Sequence, residues 1–148
     1  MVRINLIDPK ALADQHLIAE YNEILMLVGY VRKYPHKERI PANYVLGSGH
    51  IRFFADKLWY LKYRHEIVTD EMKRRGFKPT KKLDTKGLPK GLHNDWMPDK
   101  KDATIIKERL ILKLHAKPRY YRHGGKKLHV DKLVSKIRSA GLPRKRNA

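Results

Sequence analysis

Apolar residues recur along this chain at helical spacing in three long runs and one short one, with stretches bearing proline and glycine between them. Asp8-Pro9 reads as an N-cap followed by proline at the first helical position, and the periodicity after it predicts a first helix reaching about Tyr34. The next stretch, Tyr34 to Tyr44 (YPHKERIPANY), carries two prolines and mixed charge and is read as a connecting loop. Val45-Leu46-Gly47-Ser48-Gly49-His50 leads into a second helix expected to run to about Arg75, with Phe54, Leu58, Leu61, Val68 and Met72 on its inward stripe. Gly76 suits the C′ position that ends it. Lys78 to Met97 shows little periodicity and reads as an ordered surface loop. Asp102 is the expected cap of a third helix, whose inward positions are Ala103, Ile106, Leu110 and Leu114 and whose end is marked by Lys117 before Pro118. From His129 to Ala140 a short amphipathic pattern puts Val130, Leu133, Val134 and Ile137 on one side. The fold class is therefore expected to be all-α: a single compact domain of three main helices, with long loops and a short C-terminal helix.

Polar residues inside this pattern carry the candidate chemistry. In the first helix His16, Glu20, Glu23 and Leu27 share one face, and a carboxylate buried in mid-helix is costly unless it has a task or a partner. Glu20 and Glu23 one turn apart are, taken alone, the ordinary pattern of a surface. Gly47 and Gly49 serve either a tight turn or the close approach of backbone amides to a phosphate; the lysine-serine and the flanking strand of a nucleotide-binding fingerprint are missing. Lys107, Arg109 and Lys113 stand off the apolar stripe of the third helix, which by itself describes a solvated charged face. The run Arg119-Tyr120-Tyr121-Arg122-His123-Gly124-Gly125-Lys126-Lys127 interleaves aromatics with cations. Such a run suits stacking on bases with neutralisation of phosphate, although a tyrosine pair after a helix also suits core packing.

Composition narrows the partners. Lys and Arg outnumber Asp and Glu by 34 to 15, giving a net charge of +19 over 148 residues, a field that favours a polyanion, of which nucleic acid is the commonest. A solvated basic surface or a ribosome-associated protein has the same composition. There is no cysteine, so disulfides and thiolate metal sites are excluded, and the eight histidines lack the spacing of a metal site; no metal is expected. No apolar run reaches membrane-spanning length and residues 1–30 lack a signal-peptide pattern, so the expected location is cytoplasmic, associated with the nucleoid. Val2 is small enough for removal of Met1, which would leave an α-amine of pKa roughly 7.7 to 8, far more often neutral than a lysine. Amine nucleophiles act in the neutral form.

RINL (Arg3 to Leu6), LADQHL (Leu12 to Leu17), AEY (Ala19 to Tyr21), Glu23, Gly29 and VRK (Val31 to Lys33) resemble the N-terminal segment of the pyrimidine-dimer DNA glycosylases of the phage endonuclease V type. LGSGHIRFFADKLWYL (Leu46 to Leu61) and KRRGF (Lys73 to Phe77) are similar to that family's second helix, and NDWMP (Asn94 to Pro98) and KPRYYRHGGK (Lys117 to Lys126) to its third-helix approach and its aromatic, basic tail. The resemblance implies a DNA glycosylase with associated abasic-site (β-elimination) lyase activity, acting on UV-induced cyclobutane pyrimidine dimers in double-stranded DNA. It implies no cofactor and a monomer. The catalytic residues it implies are Val2, through its α-amine, and Glu23, brought together by an N-terminal segment inserted between the helices.

For DNA binding the resemblance implies Arg3, Gln15, His16, Arg32 and Lys33, with Arg109 and Lys113 matching basic residues that the family turns toward DNA. Lys117, Arg119, Tyr120, Tyr121, Arg122 and Lys126 join them from the aromatic, basic run. Asn22 and Met26 occupy DNA-facing positions where the phage member carries arginines, so the amine chemistry is better carried over than the lesion. Another modified or oxidised base, or abasic sites alone, are the alternatives; a non-catalytic basic nucleic-acid-binding protein is the alternative of another class. Residues 1–127 are read as the glycosylase-like helical domain. Residues 128–148 are read as a basic C-terminal extension that adds salt-sensitive, non-specific affinity.

Overall fold

The N-terminal strand of chain, Arg3 to Ile7, runs through the interior rather than over the surface, and the helices are arranged about it. Ile4, Leu6 and Ile7 are fully buried. The computed structural model describes residues 3–35 and 39–143. Among them lie five α-helices: α1 (Asp14–Lys33), α2 (His50–Phe54), α3 (Leu58–Arg74), α4 (Lys100–Ala116) and α5 (Val130–Ser139). The only strands among the described residues, β1 (Arg122–His123) and β2 (Lys126–Lys127), pair as an antiparallel hairpin. The fold is all-α, as the periodicity predicts, and no helix among the described residues is long and apolar enough to cross a membrane.

Polar anchors hold the interior strand at almost every residue. Ile4 N–H donates to His50 Nε2 at 3.1 Å, Tyr44 OH donates to Ile4 O at 2.9 Å, and Arg64 Nη1 donates to Ile7 O at 2.6 Å. α1, α2 and α3 each supply a side chain to this segment, so it is wedged between them. Leu6 adopts φ +58° and is flanked by an Ile7 N–H to Asn5 O bond of 2.5 Å, a γ-type turn rarely held by a branched residue. Burial of Leu6 on all sides is what over-determines it.

Three helix boundaries differ from the sequence expectation, each for a local reason. Asp8 does cap, but it caps a single 3₁₀ turn, Pro9–Ala11, and α1 starts afresh at Asp14. The carbonyls of Pro9 and Lys10 are taken by Arg75 Nη2 at 3.1 and 3.2 Å, which ends the turn before it can lengthen. The expected second helix is broken into α2 and α3 at Ala55 to Lys57; Lys57 Nζ folds back onto Phe53 O at 2.6 Å, and Lys57 pairs with His93 in an isolated bridge. Asp99, not Asp102, caps α4, and Asp102 is the reciprocal N3 partner in a capping box. At the other end of α3, Gly76 (φ +90°) closes a Schellman turn, with Gly76 N–H on Lys73 O and Phe77 N–H on Met72 O, both at 2.9 Å.

α1 packs along α3, and α4 packs against α5. All of the inward positions named for α4 are buried, as are Leu133, Val134 and Ile137 of α5, which join the same apolar cluster as α1 and α3. Lys107 Nζ donates to Arg138 O and Ala140 O, capping the end of α5, and Asp8 N–H donates to Gly141 O at 2.9 Å. Gly49 packs where a Cβ would stand 2.9 Å from Pro41 Cγ, so the contact with Pro41 favours a residue without a side chain there.

Candidate functional site

α1 is buried along its whole length on one side, and His16 and Ala19 stand at the edge of that side next to the N-terminal segment. Beside it a cleft of about 180 Å³ is lined by Arg3, Asn5, His16, Arg109, Lys113 and Tyr121. Arg3 arrives from the buried strand, Arg109 and Lys113 from α4, and Tyr121 from the turn that leads to β1. Three cations therefore converge on a small cleft that no carboxylate lines among the described residues. Burial and the neighbouring Arg3 charge both press the Arg109 guanidinium below its ordinary value, and a cluster of like charges of this kind favours an anion.

Glu23 stands one helical turn beyond Ala19, half-buried. Burial raises its carboxyl above the ordinary glutamate value, and the Arg3 charge pulls against that shift. His16 is neutral: burial and the charges of Arg109 and Lys113 lower it to about 4. Its ring lies 4.6 Å from that of Tyr121, and its buried Nδ1 has no hydrogen-bond partner. Glu20, one turn before Glu23, is not part of the cleft. Its carboxylate is clamped by Arg64, Nε to Oε2 at 2.6 Å and Nη2 to Oε1 at 2.9 Å, with Asn5 Nδ2 donating to Oε1 at 3.0 Å.

The structure gathers Arg3, His16, Arg109, Lys113 and Tyr121 of the expected residues into the cleft, leaves Glu23 one turn beyond it within the field of Arg3, and disperses the rest. Gln15 spends its amide on the chain leading to β1, donating to Tyr120 O at 2.9 Å and accepting from Arg122 N–H at 3.0 Å. Arg32 clasps the long loop through Lys86 O and Asp84 O, both at 2.9 Å, roughly 25 Å along α1 from His16 at 1.5 Å per residue. Lys33 is exposed above the Tyr34 ring. The tyrosine pair divides: Tyr121 is 8% exposed and packs on His16, whereas Tyr120 is 54% exposed with Lys117 over its ring. Arg119, Arg122 and Lys126 are exposed around it. Asn22 is exposed and donates to Ile18 O within its own helix, and Met26 stands in solvent. Val2 lies outside the described residues, as do Arg144 to Ala148 of the basic tail.

Two contributors were not anticipated. Asn5 lines the cleft from the interior strand, and His50 orients that strand through its two ring nitrogens, one accepting from Ile4 N–H and the other on Val45 O at 2.8 Å. Arg64 had a signal: it falls on the inward stripe between Leu61 and Val68, where a cation needs a buried acid. Among the described residues no three metal-ligating side chains cluster.

A family model described as pyrimidine dimer DNA glycosylase matches residues 1–85. That span carries Arg3, His16, Glu23 and Arg64 and all of α1 to α3, while Arg109, Lys113 and Tyr121 are delivered to the same cleft by elements beyond it. With more than half of the chain matched, and the matched half building the wall that holds Glu23, the chain belongs to the pyrimidine dimer DNA glycosylase family.

Proposed function

We propose that this DNA glycosylase works through the α-amine of Val2, with removal of the damaged base followed by β-elimination at the resulting abasic sugar. The observation that carries the reading is the half-buried Glu23 carboxyl, one turn beyond the cleft-lining Ala19, which feels the charge of Arg3, the residue peptide-bonded to Val2. The amine attacks C1′ of the damaged nucleotide, the C1′–base bond breaks and the sugar ring opens to an iminium. Glu23 stabilises the cationic sugar as the base leaves. It then accepts the C2′ proton, the C3′–O bond breaks, and the strand is nicked 3′ to the sugar. The cations Arg3, Arg109 and Lys113 hold the backbone phosphate beside the opened pair, whose disruption costs a few kcal/mol that a damaged base partly offsets. No step calls for a cofactor.

Borohydride trapping tests this on the Met1-processed protein, its processing checked by intact mass, with duplexes carrying a thymine dimer, an abasic site or neither. A covalent adduct on the dimer and the abasic site, absent with Glu23→Gln although that variant still binds, is the expected outcome. A processed wild-type protein that traps on neither damaged duplex would sink the amine chemistry. Trapping on the abasic site alone keeps Val2 and Glu23 and moves the substrate to another damaged base, a reading favoured by the uncharged, exposed Asn22 and Met26 next to Glu23. The raised Glu23 carboxyl sets the sign of the pH profile: trapping falls on acidification at a higher pH than an ordinary glutamate would give.

A further inference from the structure

Past Glu23 the outer face of α1 changes character. Met26, Tyr30 and Tyr34 follow at four-residue intervals and are 69%, 41% and 46% exposed. The Tyr30 and Tyr34 rings lie 5.2 Å apart, and Lys33 Nζ sits 5.5 Å over the Tyr34 ring. Single exposed apolar side chains are ordinary, but two in line on the last turns of α1 with a third at its C-cap, Tyr34, mark a contact surface. The stripe begins two turns beyond Ala19, the last residue of α1 that lines the cleft. Tyr30 is seven residues beyond Glu23, about 10 Å along the axis, or about three nucleotide steps at 3.4 Å. A second copy of the chain is a poor occupant because each copy carries a net charge of +19. A flat, apolar, polarisable partner with phosphates attached suits both the rings and Lys33.

We propose that Met26, Tyr30 and Tyr34 form a nucleobase platform, on which a base displaced from the duplex beside the reacting nucleotide stacks against the Tyr30 ring while Lys33 takes its phosphate. The proposal rests on the DNA reading of the cleft and extends it to the strand leading away from it. Stacking is indifferent to salt, so the platform supplies recognition of unpaired bases that charge alone does not.

The test measures binding of wild type, Tyr30→Ala, Tyr30→Leu and Tyr30→Phe to a single-stranded oligonucleotide, a duplex with a stable abasic analogue and an intact duplex, across a salt series. Expected are losses of about five- to a hundredfold on the first two ligands for Tyr30→Ala and Tyr30→Leu, an unchanged salt slope, and near-wild-type binding by Tyr30→Phe. Binding to the intact duplex stays within about twofold, since its bases remain paired. Loss on the single strand alone supports the platform while counting against the lesion reading. Equal loss on the intact duplex, no loss on either unpaired ligand, or a wild-type dimer that Tyr30→Ala dissociates overturns the platform, and if borohydride trapping persists the catalytic reading survives it. Tyr30 is solvent-facing, and a thermal melt of each variant checks that the fold is kept.

Discussion

Arg64 Nε approaches Glu20 Oε2 at 2.6 Å with both side chains wholly buried, and the guanidinium also donates to Ile7 O, so one residue ties α3 to α1 and to the interior strand. A buried pair of this kind stabilises little against two apolar residues of the same size, but a lone survivor is an uncompensated charge in the core. Arg64→Ala or Glu20→Ala should therefore each lower stability by about 3 to 5 kcal/mol, while Glu20→Leu combined with Arg64→Met costs well below the sum. Urea denaturation of the four proteins checks this, and additive losses would show the pair to be uncoupled. At this scale the sequence announced that α1 carries carboxylates on one face, but not which of them is clamped in the core and which is left half-buried beside the cleft. Glu20 and Glu23 look alike in a helical projection. The distinction lies in Arg64, 44 residues away and in reach only after folding.

Helices and their connections were legible where the signal is local. Every position on the stripes of Phe54 to Met72 and Ala103 to Leu114 is buried, because side chains three and four apart share a face whatever surrounds them. The break at Ala55 to Lys57 was not legible, since it depends on His93 across a long loop, and Asp99 and Asp102 each fit a cap because they share one box. The element whose behaviour follows most directly is α2. His50 Nε2 must be unprotonated to accept from Ile4 N–H, and burial, with the charges of Arg3 and Arg109, holds it down at about 4 against the opposing bond to Val45 O. His16 is lowered to about 4 as well. An unfolded chain takes up these protons near pH 6.5 and the folded one does not, so the stability these rings contribute is whole above pH 6.5 and is lost as pH falls toward 4. The loss is on the order of 3 kcal/mol for each ring. Asp14 acts in a lower window: despite burial, the Gly125 and Gly124 amides and Arg75 hold it below 3.8. Thermal melting between pH 7 and 4.5 should show a steep fall in Tm that His50→Gln reduces, and a flat profile in wild type would contradict the assignment.

For the molecule as a whole, charge was the feature read most surely, and burial of the last helix the one read least. The net +19 pointed to a polyanion, and family membership places DNA there. Residues 128 onward invite the reading of an appended basic arm, since cations dominate their composition, yet three of their apolar side chains sit in the common core. At roughly 1.5 to 3 kcal/mol each, those side chains represent about 5 kcal/mol or more, comparable with the whole stability of many domains. Ending the chain at Lys127 should thus unfold the protein or cut its midpoint severely rather than release an intact glycosylase of lower DNA affinity. Circular dichroism on the truncated protein decides between the two. The bond from Asp8 N–H to Gly141 O bears on biosynthesis. While a ribosome still holds Gly141, Asp8 has no acceptor there, and at 5 to 20 residues per second the N-terminal segment waits on the order of ten seconds for it. The turn that follows the interior segment is thereby tied to the end of α5 only once Gly141 has left the ribosome.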